Sequence, residues 1–271
     1  MADTTLALRA SDLPDELIAH GRHWITLPEV AELLKVPKEQ VPALMARLKK
    51  KRQIFSPSRG AYVPIPAEFR SWGAVPATRF VDQLMHQLHH PYYVGYLSAA
   101  EIHGASHQRP QVFQVVSTVQ MRNRAFGRVT LEFIKDSDSG SRPVVVVNTP
   151  TGTMRVATPE ITVFDLVASP RHGGGLSNVA TVVADLLSLG RLRSENLIDA
   201  AVTYPVSVVQ RCGWILDQSS LLTGMSIVTD RLAEIARERV EPTPLEAGGR
   251  RSGRLDRRWN VVVNTDIEPD L

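Results

Sequence analysis

Arg47, Lys49, Lys50, Lys51, Arg52 and Arg59 place six basic side chains and no acidic one between residues 47 and 59. A span of one sign neutralises phosphates and releases their condensed counterions, the sequence-independent part of nucleic-acid binding. A lysine run also serves as a solvated helix end, so the reading turns on its surroundings. Gln40, Ala43, Ala46, Arg47 and Lys50 project to one side of a helix, and small residues beside long polar ones suit a close approach to base edges. This pattern assigns Gln40, Ala43 and Arg47 to bases, and Lys49, Lys50, Lys51, Arg52 and Arg59 to phosphates. A second basic cluster, Arg250, Arg251, Arg254, Arg257 and Arg258, reads equally as another DNA contact or as a contact for an acidic partner.

Other constellations carry less chemistry. His86, His89 and His90 could turn two rings to one helical face, but they read as a surface or interdomain cluster and not as metal ligands. Glu101, His103 and His107 lack the metalloprotease order, and Gly104 interrupts the helix that would align the two histidines. Asp136 and Asp138 are a paired-acid motif followed by Ser139-Gly140-Ser141. Nucleotidyltransferases need that turn ahead of the acids, on a helix start that presents amides to a triphosphate. A hairpin turn accounts for the same residues. Gly173-Gly174-Gly175 has neither a Walker lysine nor GxGxxG spacing and reads as a joint. Cys212, the one cysteine, sits near Val208, Val209 and Trp214 and reads as a small buried hydrophobe. No nucleophile elbow and no acid, base and nucleophile set is evident. The expectation is a binding protein and not an enzyme, with no catalytic residue, metal ligand or cofactor.

The elements around the first basic segment explain how it would be presented. Thr26-Leu27-Pro28-Glu29 has the form of a capping box, with Pro28 in the first turn. Leu27, Val30, Ala31 and Leu34 then predict a short amphipathic helix over 27–35. After Pro37, the stripe Val41, Leu44, Met45 and Leu48 predicts a second helix. Pro42 would break an interior hydrogen bond in it, so the helix starts near Glu39 or is kinked. Ile54-Phe55, the turn 56–60 and Ala61-Tyr62-Val63 read as a hairpin. With a first helix over 13–21, the order is that of a winged helix-turn-helix, a DNA-contacting module.

At 271 residues, 43% apolar, the chain is long enough for two domains with a sizeable core. Its net charge of +3 is small, so clustering and not total charge carries the nucleic-acid reading. The single cysteine fits a reducing compartment. No secretory signal and no stretch of membrane-spanning length is evident, so a cytoplasmic protein without membrane contact is expected. Pro64-Ile65-Pro66 sets the domain boundary, giving a winged helix-turn-helix over 1–67 and a larger mixed domain over 68–271. In the latter, strands are expected over 112–118, 128–134, 144–148 and 154–157, the valine run 144–147 as a buried strand. Helices follow over 159–167, from Ser177 to Leu189, and over 196–204, 207–218 and 226–239, with a last strand at 260–264. The fold class is α+β with a central sheet and several helices.

Tyr93-Val94-Gly95-Tyr96-Leu97-Ser98-Ala99-Ala100-Glu101-Ile102-His103-Gly104, then Ala157-Thr158-Pro159-Glu160-Ile161-Thr162-Val163-Phe164-Asp165-Leu166-Val167, behind such a module, resemble the AbiEi antitoxins of type IV abortive-infection toxin-antitoxin systems. Gly173-Gly174-Gly175-Leu176-Ser177-Asn178-Val179 and Arg258-Trp259-Asn260-Val261 are similar too, so the resemblance covers most of the chain. It implies a bacterial repressor that binds double-stranded DNA at its own promoter, with a C-terminal domain that neutralises a nucleotidyltransferase-like toxin. Two other readings stand beside it. One is a ligand-responsive winged-helix regulator whose C-terminal domain senses a metabolite and which has no toxin partner. The other is a metal-dependent nuclease or nucleotidyltransferase, which requires Asp136, Asp138 and a third carboxylate to meet at one metal. The oligomeric state is left open, a monomer in solution included.

Overall fold

Thr26 and Glu29 set where a helix begins at Leu27. In the computed structural model, which describes residues 8–105, 112–224, 227, 230–250 and 252–268, the Thr26 amide and hydroxyl both donate to the Glu29 carboxylate, at 2.7 and 2.6 Å. Arg22 donates to the other carboxylate oxygen at 2.8 Å. On this box α2 (Leu27–Leu34) starts, after α1 (Leu13–Ala19) and β1 (Ile25–Thr26). Lys35 ends α2 in the left-handed conformation, and a 3-10 turn over Lys38–Gln40 leads into α3 (Val41–Lys50). Pro42 therefore stands in the first turn of α3, where its missing amide proton costs little. The helix begins two residues beyond Glu39.

β2 (Ile54–Phe55) and β3 (Ala61–Pro64) form the hairpin, and β3 lies between β1 and β2 in an antiparallel sheet. Leu13 and Leu17 of α1, Val30 and Leu34 of α2, Val41, Met45 and Leu48 of α3, and Ile54 of β2 are buried in one cluster. At about 2 kcal/mol for each large apolar side chain withdrawn from water, this burial dominates what holds the three helices to the sheet.

The chain forms two compact units, each assembled from separate segments. The first takes Met1–Pro91, Gln120–Phe133 and Val146–Met154. It holds α4 (Val81–Gln87), entered through a 3-10 turn over Ala77–Arg79. It also holds a hairpin of β6 (Arg124–Phe126) with β7 (Val129–Lys135). At the tip of that hairpin Gly127 has φ 55°, and a Cβ there would collide with the Trp72 carbonyl, which accepts from the Arg128 amide at 2.9 Å.

The second unit takes Tyr92–Val119, Ile134–Val145 and Arg155–Leu271. β4 (Tyr92–Val94) pairs antiparallel with β5 (Phe113–Ser117) and parallel with β9 (Gly152–Ala157), and α5 (Tyr96–Ile102) follows β4. Behind come α6 (Pro159–Ala168), α7 (Leu176–Ser188), α8 (Ser194–Ala201), α9 (Val206–Thr223) and α10 (Asp230–Ala236). The long helix α9 packs on α6, α7 and α10. A last small sheet has the order β10 (Thr243–Pro244), β12 (Val261–Val263), β11 (Arg254–Asp256). Trp259, 1% exposed, lies against Gly213 of α9, where any Cβ would overlap its ring.

β8 (Val144–Thr149) is the outer neighbour of β9. The fold is mixed α+β, with several sheets and ten α-helices among the described residues. β8 corrects one expectation: it is an edge strand, and Val146 is 66% exposed. β-branching reports a preference for pleated backbone and not burial itself. α7 likewise starts at Leu176 with Gly175 at its N-cap, two residues ahead of a Ser177 cap, and α10 ends at Ala236, short of residue 239, while residues 226, 228 and 229 of that expected helix lie outside the described residues. No helix among the described residues is long and apolar enough to cross a membrane.

The capping box carries a pH signature. Burial alone would raise the Glu29 pKa, but the Thr26 hydrogen bonds and Arg22 outweigh it and hold it below the usual value. A depressed carboxylate stabilises the fold above its unfolded pKa and loses that contribution as pH falls through the folded one. Glu29→Ala should cost about 1 kcal/mol at neutral pH. Urea unfolding should find the gap between variant and parent closing as pH falls below the ordinary glutamate range.

Candidate nucleic-acid interface

The inward face of α3 determines its outward one. With Val41, Met45 and Leu48 buried, Gln40, Ala43, Arg47, Lys49 and Lys50 are exposed, Gln40 at the N-cap and the three basic residues in the last turn. Lys51 and Arg52 follow, exposed, with Arg52 at φ 54°, and Arg59 is exposed in the turn between β2 and β3. Among the described residues no carboxylate pairs with any of the six cations. Arg47, Lys49 and Lys50 gain from the negative end of the helix dipole, but only some tenths of a kcal/mol each. That effect does not account for Lys51, Arg52 and Arg59, which lie beyond the helix.

The turn carrying Arg59 is held from several sides. The Leu27 amide donates to the Gly60 carbonyl at 2.8 Å, and Ser56 Oγ to the Ser58 carbonyl at 2.8 Å. Arg124 Nη1 donates to the Pro57 carbonyl at 2.7 Å, and Gln87 Nε2 to the Arg59 carbonyl at 3.2 Å. Phe55, Phe80 and Phe126 meet with ring centroids 5.1 to 5.8 Å apart. Arg124, Gln87 and Phe126 escaped the sequence reading, since nothing local marks partners so distant along the chain.

The second basic cluster is divided. Arg250, Arg254 and Arg257 are exposed, and Arg251 lies outside the described residues. Arg258 is committed within the fold: it pairs with Asp217 at 3.1 Å and Asp230 at 2.9 Å, and lies 5.4 Å from the Trp259 ring. Its charge is thereby neutralised, and Trp259 Nε1 shares the same Asp217 at 2.7 Å.

His86 and His89 line a cavity of about 320 Å³ with Trp24, Thr26, Asp82, Gln83 and Gln87. Among the described residues no three His, Cys, Asp or Glu side chains are grouped to hold a metal. His103 hydrogen-bonds the Ala157 carbonyl at 2.7 Å, and His107 lies outside the described residues. The Gly173 carbonyl accepts from Asn178 Nδ2 at 2.7 Å, which makes the triglycine a joint closed onto α7. Cys212 is buried, and burial pushes its thiol up.

Asp136 and Asp138 form a turn in which Asp136 accepts the Asp138 amide at 2.9 Å, and Asp136 pairs with the buried Arg142 at 3.2 Å. Arg142 stacks 3.6 Å from the Tyr204 ring centre and donates to the Thr203 carbonyl. Tyr204 and Tyr93 in turn donate to the buried Asp165, at 2.7 and 3.1 Å. This chain of contacts ties β4, α6 and the residues after α8 to the Asp136 turn. Burial pushes the Asp165 carboxyl up to about 7, against the opposing effect of the two tyrosine hydrogen bonds.

A carboxyl raised in this way favours the fold while protonated, and that contribution fades as pH rises through about 7. Asp165→Asn keeps an acceptor and removes the ionisation. Its stability relative to the parent should therefore climb from about pH 4 to about pH 7, by at most about 1.4 kcal/mol per unit, and level off above that, when followed by chemical denaturation.

Residues 93–218 match the family model of the AbiEi antitoxin C-terminal domain. The matched span runs from β4 into α9 and contains Tyr93, Asp136, Arg142, Asp165 and Tyr204. No curated protein matches the chain. Among solved structures, the crystal structure of the RV2827C protein from Mycobacterium tuberculosis is similar over 93% of this chain and 90% of that one, with a TM-score of 0.66 and 15% identity. At that identity the likeness is one of fold.

Proposed function

Since residues 93–218 belong to the AbiEi antitoxin C-terminal domain family, we propose that the chain is the antitoxin of a type IV toxin-antitoxin system and the DNA-binding repressor of its own operon. Residues 1–67 act as a winged helix-turn-helix, and residues 68–271 neutralise a nucleotidyltransferase-type toxin. The protein works in the cytoplasm and is not an enzyme. The observation that carries the DNA reading is the exposed, unpaired row of cations from Arg47 to Arg59. On a duplex, α3 enters the major groove, where Gln40, Ala43 and Arg47 meet base edges. Lys49, Lys50, Lys51, Arg52 and Arg59 hold phosphates and fix the register. Arg250, Arg254 and Arg257 remain for a further DNA contact or an acidic surface on the toxin.

The ligand-responsive alternative has one observation in its favour. A cavity of about 200 Å³ beside α9 is lined by Ala180, Trp214, Ile215, Gln218, Leu222 and Ile267 among others, and Trp214 Nε1 is buried without a hydrogen-bond partner. The nuclease alternative has lost ground, because Arg142 occupies Asp136 where a divalent cation would be needed.

Replacing Lys50 and Lys51 together by alanine should weaken binding to promoter and random duplexes alike, and flatten the salt dependence by about 1.8 in log–log slope. An unchanged slope in a fluorescence-anisotropy titration would remove both lysines from the phosphate contacts. Co-expression with a nucleotidyltransferase encoded beside it should restore growth that the toxin alone arrests. If growth stays arrested while promoter binding is intact, the protein is a regulator and not an antitoxin.

A further inference from the structure

β2 has only two residues and pairs with β3 alone, so the strand pairing by itself constrains the turn between them weakly. The turn between β2 and β3 is nevertheless fixed at carbonyls on both sides of Ser58: Pro57 accepts from Arg124, and Arg59 accepts from Gln87. Both donors stand on elements outside residues 1–67. Arg124 opens β6, whose Phe126 packs on Phe55 at the end of β2, 5.5 Å between centroids. Gln87 ends α4, whose N-cap Phe80 meets both rings. Gly127 lets the far end of the β6–β7 hairpin close onto the Trp72 backbone. The backbone of Arg59 is thus clamped while its side chain stays exposed and unpaired.

We infer that Gln87 and Arg124 are positioning residues of the DNA interface, clamping the wing turn so that Arg59 is already in place when a duplex arrives. The inference rests on the proposed function. Ordering a loop on binding subtracts from affinity, and a turn ordered beforehand avoids that cost. The DNA-contacting head is then not self-sufficient: the turn between β2 and β3 is held by α4 and by the β6–β7 hairpin.

The test titrates the full chain against a mixed-sequence duplex over a range of salt, for the parent, Arg59→Ala, Gln87→Ala, Arg124→Ala and Arg59→Ala/Gln87→Ala. Arg59→Ala should weaken binding roughly threefold at physiological salt and reduce the slope by about 0.9. Gln87→Ala removes no charge, yet should reduce the slope in the same direction, because it releases Arg59. A purely structural glutamine would leave the slope alone. The double variant should lose no more than Arg59→Ala does. Parental affinity and slope in Gln87→Ala, or additive losses in the double variant, would overturn the positioning role. The Gln87 comparison decides the matter even if Arg124→Ala does not fold. If Arg59→Ala itself has no effect, the wing does not contact DNA; that result overturns this part of the proposed function and the inference with it.

Discussion

The buried stripe of Val41, Met45 and Leu48 is the constraint on which the candidate interface depends. It fixes the rotation of α3 about its axis, and that rotation alone decides that Gln40, Ala43, Arg47 and Lys50 face solvent. A shift by one residue would turn the helix by about 100° and carry the polar face into the core. The stripe contributes about 2 kcal/mol per side chain, whereas repulsion between two exposed cations is about 1 kcal/mol at close range in water and falls with salt. Apolar burial therefore tolerates an uncompensated row of charge, and the row remains available to an external polyanion.

The two units treat polar groups in opposite ways. In the first, the cations that matter are exposed and lack intramolecular partners. In the second, Asp165, Tyr93, Tyr204, Arg142 and Asp136 are linked to one another, largely out of water. A satisfied buried network specifies one arrangement of the elements it joins, because any rearrangement leaves groups unpaired. Rigid presentation of a surface to a protein partner is a role suited to such a unit, and the exposed Arg250, Arg254 and Arg257 lie in it.

What could be read from the sequence was local. Thr26 and Glu29 announced a helix start, the stripe in α3 announced its buried face, and the composition of 56–60 announced a turn; each depends on residues within a few positions of one another. Tyr93 to Gly104 and Ala157 to Val167 were legible as family motifs, and they form the ends of β4 and β9 with α5 and α6. What escaped was non-local. β6 and the two-residue β10 are too short for a periodic signal. Asp165 looked like one polar residue in an apolar helix, because its tyrosines are 72 and 39 residues away. Arg258 counted as a free cation until Asp217 and Asp230 were seen beside it. Val144 to Val147 misled because strand propensity is silent about whether a neighbour covers the strand.

The central claim is that α3 and the following hairpin meet a duplex. Hydrogen exchange of the full chain, with and without DNA taken from upstream of its own gene, tests it most directly. Slowed exchange concentrated in peptides covering residues 40–60, with α7 and α9 unaffected, is the predicted result. Unchanged exchange across 40–60 at saturating DNA, with protection appearing elsewhere, would contradict it.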